Sequence, residues 1–80
     1  MGVRRWLKEQ SLLRCARKLR EYSANERKKE PNIHCFPRDT LREVLARQGD
    51  ERVTDDVLEF MELKGWAGRV KHPPDCYWIN

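Results

Sequence analysis

Eighty residues with 39% hydrophobic and 38% charged side chains suffice for one small domain over 1–80, and three Trp, two Phe and two Tyr supply bulky anchors that a disordered chain lacks. No apolar run approaches the roughly 18–20 residues of a membrane span, the start Met1-Gly2-Val3-Arg4-Arg5-Trp6 is no signal core, and three widely spaced cysteines form no secreted disulfide framework, so a soluble cytoplasmic chain with reduced thiols is expected. The net charge of +4 is uneven: residues 1–30 hold ten Lys/Arg against four Glu, giving +6, whereas residues 31–80 hold seven against nine acids, giving −2, and a field of that shape draws polyanions or an acidic protein to the first segment.

The first helix is predicted over 3–29, because no Pro or Gly interrupts it and Pro31 stops it. Leu12, Cys15, Ala16, Leu19 and Tyr22 fall at helical spacing and predict one buried stripe. After Tyr22 the segment Ser23 to Glu30 offers almost nothing to bury, so fraying or a solvated extension is expected there. Ile33-His34-Cys35-Phe36, between Pro31 and Pro37, reads as a short strand. The second helix starts between Pro37 and Thr40, with Thr40 and Glu43 fitting a capping box, buries Leu41, Val44 and Leu45, and ends at Gly49. The third helix takes Thr54 or Asp50 as its N-cap and places Asp55 and Asp56 at the positive end of its dipole. Its apolar face is read as Val57, Phe60, Met61 and Lys64, broadened by Leu58 and Leu63, and Gly65 supplies a left-handed stop. A hairpin over 66–80 completes the chain: a short strand from Trp66, a turn at His72-Pro73-Pro74-Asp75, and the aromatic strand Cys76 to Asn80.

That order is helix, strand, helix, helix, strand, wing, strand. It resembles the winged helix-turn-helix family, most closely over Val57-Leu58-Glu59-Phe60-Met61-Glu62-Leu63-Lys64-Gly65-Trp66-Ala67-Gly68-Arg69-Val70, where a third helix runs through glycine into the wing. The resemblance implies an α+β fold of three helices with a small antiparallel sheet, and a protein that works by binding DNA in transcription regulation. It also implies that the first and last strands pair, which would bring Cys35 and Cys76 together. Pairing of two copies through the long first helix is a further alternative, although Leu12, Leu19 and Tyr22 are already needed for the core.

On the DNA reading, Arg69 and Lys71 contact phosphate from the wing, Arg38 and Arg42 from the second helix, and Arg14, Arg17 and Lys18 from the first, with Arg52 the one base-facing cation. The exposed positions of the third helix oppose this reading, since Asp55, Asp56, Glu59 and Glu62 turn like charge toward phosphates. They suit a competing reading, in which a phage- or plasmid-type inhibitor or an assembly subunit presents those acids, with Trp78 beside them, to a nucleic-acid-binding protein partner. Within the strand, alternation sends Tyr77 and Ile79 to one face and Cys76 and Trp78 to the other.

Metal and catalytic chemistry find little in the residues. His34, Cys35, His72, Cys76 and Cys15 lack the close C-x2-C spacing of a zinc site, and neighbours such as His34 and Cys35 point to opposite faces of a strand. Thiols packed as small apolar groups, with an oxidative Cys35–Cys76 bridge as the alternative, are the expected state. The four glycines are dispersed and cradle no phosphate, and no nucleophile has an orienting group, so neither enzyme activity nor a cofactor or small-molecule substrate is expected.

Overall fold

The computed structural model describes residues 2–80, with side chains from Lys8 onward, so expectations for Arg4, Arg5, Trp6 and Leu7 as side chains lie outside the described residues. The elements are α1 (Gly2–Lys29), β1 (Phe36–Pro37), α2 (Arg38–Ala46), a short 3-10 turn (Glu51–Val53), α3 (Thr54–Lys64), β2 (Ala67–Arg69) and β3 (Cys76–Ile79). The chain is therefore α+β, three helices against one small sheet. All strands are antiparallel, in the order β1-β3-β2, with Phe36 opposite Tyr77 and Gly68 opposite Trp78. No helix among the described residues is long and apolar enough to cross a membrane.

The core gathers where the three helices and the inner face of the sheet converge. Leu12, Cys15, Ala16 and Leu19 form the buried stripe of α1, as their spacing predicts, and Leu41, Val44 and Leu45 do the same for α2. Val57, Leu58 and Met61 come from α3, and Phe36, Tyr77 and Ile79 from the sheet. Tyr22 is half-buried at the rim, edge-on to Phe36 with ring centroids 5.5 Å apart. Burying these apolar surfaces outweighs the ordering of so polar a chain, and each large core side chain contributes roughly 1.5–3 kcal/mol.

Five expectations are corrected. The first strand is Phe36–Pro37 and not Ile33 to Phe36, because only the residues flanking the Arg38 start of α2 reach the β3 ladder. Pro37, extended at φ −61 and ψ 145, occupies the N-cap of α2 without a side-chain hydrogen bond. The Arg38 N–H instead donates to the Asp75 carbonyl at 2.8 Å, so the hairpin turn caps α2 in place of a Thr40/Glu43 box. Val53 is the N-cap of α3; Thr54 lies just inside the helix, its buried hydroxyl donating to the Glu51 carbonyl at 2.7 Å, while Asp50 precedes the 3-10 turn without capping it.

The end of α1 is the fourth, and a correction in part: the helix extends to Lys29 with Ala24, Asn25 and Arg27 to Lys29 exposed, as a solvated extension requires, but Ser23 is buried. Its last turns are tethered to the sheet: buried Ser23 donates to the Ile79 carbonyl at 3.1 Å and Arg27 donates to the same oxygen. The Ile79 carbonyl, opposite Ala67 of β2 but beyond the reach of the two-residue β1, thus gains two donors from a helix whose sequence looks solvated. Leu63 is the fifth, at 81% exposed, with Lys64 also exposed, so the apolar face of α3 is narrower than the pattern suggests. Gly65 does stop α3 in the left-handed region at φ 76, as predicted.

Candidate functional site

Two faces of opposite sign flank the core. The first is the solvent side of α3. Its buried residues recur on one side, which leaves Asp55, Asp56, Glu59 and Glu62 turned outward together, and all four are exposed. Asp55, Glu59 and Glu62 line a shallow depression with Arg69 and Tyr77.

Two of the arginines assigned to phosphate contact stand at this acidic face, and each meets a carboxylate there. Arg38, at the start of α2, donates Nε to Asp55 at 2.7 Å and approaches the same oxygen through Nη at 2.5 Å. That hydrogen bond and then the charge of Asp55 raise the guanidinium pKa further. Arg69 on β2 lies 3.7 Å from Glu62 and 6.0 Å from the centre of the Tyr77 ring. A third candidate, Arg14 on α1, lies 3.8 Å from Asp50. Surface pairs of this kind contribute little stability, but they cancel local field, and field is what phosphate recognition requires. Arg42, Arg52 and Lys71 are exposed, form no salt bridge among the described residues, and are spread over α2, the 3-10 turn and the hairpin.

Trp78 and Leu63 are the large apolar side chains exposed among the described residues, Trp78 at 38%. Trp78 stands on the outer face of the sheet and lies over Gly68, where an added Cβ would fall 2.4 Å from the indole Nε1. Tyr77 and Ile79 are buried and Trp78 is exposed, as alternation predicts, but Cys76, expected on the Trp78 face, is buried as well.

The second face is basic and belongs to α1. Arg17, Arg20 and Arg27 share one stripe of the helix, being three and seven residues apart, and they open onto a groove closed on its other side by Trp66 and Asn80. The Arg20 guanidinium stacks 4.8 Å from the centre of the Trp66 ring and donates Nε to the Asn80 carbonyl at 3.2 Å. Trp66 in turn is held edge-on by Phe60 at 6.0 Å. Arg20 and Arg27 are thus positioned by main-chain oxygens and a π-face, with no Asp or Glu side chain paired to them among the described residues. Arg17 and Lys18 are exposed and make no salt bridge among the described residues. The sequence names Arg20 and Arg27 among the basic residues of the first helix but gives no sign of the groove, because Trp66 and Asn80 reach it only through the fold.

The thiols occupy separate environments. Cys15, fully buried, accepts from Gln48 Nε2 at 3.7 Å, and burial first, then the charge of Asp50, pushes its pKa from 9.0 to about 11. Cys76 on β3 meets half-buried Cys35 just before β1, and burial followed by the nearness of Cys35 raises its pKa as well. All three are unbridged. No group of three or more His, Cys, Asp and Glu with metal-binding geometry occurs among the described residues.

Comparison with family models, with curated proteins and with solved structures finds no match to this chain.

Proposed function

We propose that the chain is a non-enzymatic winged-helix module that docks a basic protein surface through the acidic face of α3. The order of the elements and the pairing of β1 with β3 support the winged-helix reading. One observation carries the choice of partner: Asp55, Asp56, Glu59 and Glu62 share the outward side of α3, and its two nearest arginines are paired to Asp55 and Glu62. A duplex approaching that helix meets uncancelled Asp56 and Glu59, and like charges brought together at an interface cost several kcal/mol in rough terms. A protein carrying Lys and Arg gains there, most of all one that normally holds phosphates in the same spacing. Trp78 adds an aromatic of the kind that anchors protein interfaces.

DNA binding is the second reading, and the observation favouring it lies on α1. Arg17, Lys18, Arg20 and Arg27 pair with no Asp or Glu side chain among the described residues, so a polyanion meets less cancelled charge on that helix than on the hairpin. Contacts there would be to phosphate, with weak sequence preference and strong salt dependence.

The experiment runs capture of partners by the immobilised chain beside duplex titration at two salt concentrations. Wild type is expected to retain a basic protein that elutes with salt, and Asp56→Lys with Glu59→Lys is expected to lose it. Neutralising Arg69 and Lys71 should leave duplex affinity unchanged. Weaker duplex binding in that variant, together with unaltered capture by the charge-reversed one, would return the hairpin to a nucleic-acid role and remove the docking face.

A further inference from the structure

We propose that the groove between α1 and the end of β3 is a binding site for a nucleoside phosphate, taken either free or as one residue of a single strand. The groove has a cavity of about 470 Å3, lined by Arg17, Arg20, Glu21, Arg27, Trp66 and Asn80 among others. That volume falls inside the roughly 300–1,000 Å3 range of small-ligand sites.

Its cations are arranged for phosphate. A guanidinium presents five donors in a planar fork, and Arg20 spends one of them on the Asn80 carbonyl while Arg27 is fixed by the Ile79 carbonyl. Both are thus held in place by main-chain oxygens, with donors left over, whereas Arg14, Arg38 and Arg69 each face an Asp or Glu carboxylate. Ordering long side chains before the ligand arrives removes part of the entropy that binding otherwise costs. Arg17, one turn before Arg20, makes no hydrogen bond or ion pair among the described residues and extends the positive edge.

The remaining lining residues favour a nucleoside over a bare anion. Trp66 is half-buried beside the Arg20 guanidinium, and indole and guanidinium planes are both surfaces on which bases stack. Glu21 is the one acidic side chain of the lining. It accepts hydrogen bonds from ribose hydroxyls, which a bare anion lacks, the role an acidic residue plays against ribose elsewhere. The inference depends on the charges of α1 and not on what α3 docks, so either proposal can fail without the other.

The test is a titration of the nitrogen-15-labelled chain with adenosine monophosphate, adenosine, inorganic phosphate and a six-nucleotide single-stranded RNA, followed through the Nε–H of Arg20 and Arg27 and the indole N–H of Trp66. Adenosine monophosphate or the hexanucleotide is expected to move all three signals and to bind at least ~5-fold more tightly than adenosine or inorganic phosphate. A response to the mononucleotide assigns a free ligand, and a response to the hexanucleotide alone assigns a strand. Arg17→Glu, on the open edge, should weaken binding about tenfold, the loss of one charge-assisted contact, with an unchanged thermal midpoint. Unmoved signals with both probes, equal binding of inorganic phosphate and the mononucleotide, or wild-type affinity in Arg17→Glu would each overturn the assignment.

Discussion

Single atoms decide several features of this chain. Gly68 is required because the Trp78 indole lies where its Cβ would be, with Nε1 at 2.4 Å. Gly68→Ala must therefore displace the ring or open the β2–β3 ladder, and a cost of about 1–3 kcal/mol is expected as a lower urea midpoint. A midpoint equal to wild type would mean that the indole does not rest on the glycine. Cys15 makes a prediction about pH. Unfolded, its thiol ionises around 9.0; folded, burial and Asp50 keep the proton on until about 11. Between those values the unfolded chain binds fewer protons than the folded one, so stability is constant below pH 9 on this account and falls as pH rises toward 11. The loss is of the order of 1–3 kcal/mol, and Tyr22 and Cys76, shifted in the same direction chiefly by burial, add to it. Denaturation curves collected across that range should show a shallower decline in Cys15→Ala than in wild type, whatever the variant's stability at neutral pH.

At the scale of elements, the periodic signals were legible and the tertiary ones were not. The stripe from Leu12 to Leu19, the Gly65 stop and the inward set Tyr77 and Ile79 follow from local pattern and survive in the fold. Leu63 misled because one leucine among charges resembles the edge of an apolar face, yet at 81% exposed it contributes nothing to the core. Leu63→Ala should change stability by less than about 0.5 kcal/mol, whereas Met61→Ala, at 0% exposed, should cost about 2–5 kcal/mol; similar values for the two would contradict the orientation of α3. The end of α1 misled for the opposite reason. Ser23 and Arg27 look solvated in sequence, but β3 leaves the Ile79 carbonyl in need of donors, and that need is invisible until β3 is placed beside the helix. Ser23→Ala removes a buried donor and should cost about 0.5–1.5 kcal/mol. Hydrogen exchange at the end of β3 should rise with it.

Across the whole molecule, the charge asymmetry seen in the sequence becomes a division between faces. The +6 of residues 1–30 and the −2 of residues 31–80 were readable from composition. Which charges cancel was not, because Arg38–Asp55 and Arg69–Glu62 join residues from different elements, and Arg20 reaches Trp66 and Asn80 only across the groove. On the proposed reading, those pairings move the nucleic-acid contacts away from β2 and α2 and leave α3 to a cationic partner. Salt should accordingly weaken partner capture and duplex binding through different residues. The most direct measurement is a backbone chemical-shift map of the labelled chain with a generic duplex at low salt, set beside the same map with a lysine-rich peptide. An acidic docking face requires the peptide to shift amides of Asp55 to Glu62 while the duplex leaves both these and Arg69 to Lys71 unmoved. Duplex-induced shifts along α3 and the hairpin, with none from the peptide, would contradict it.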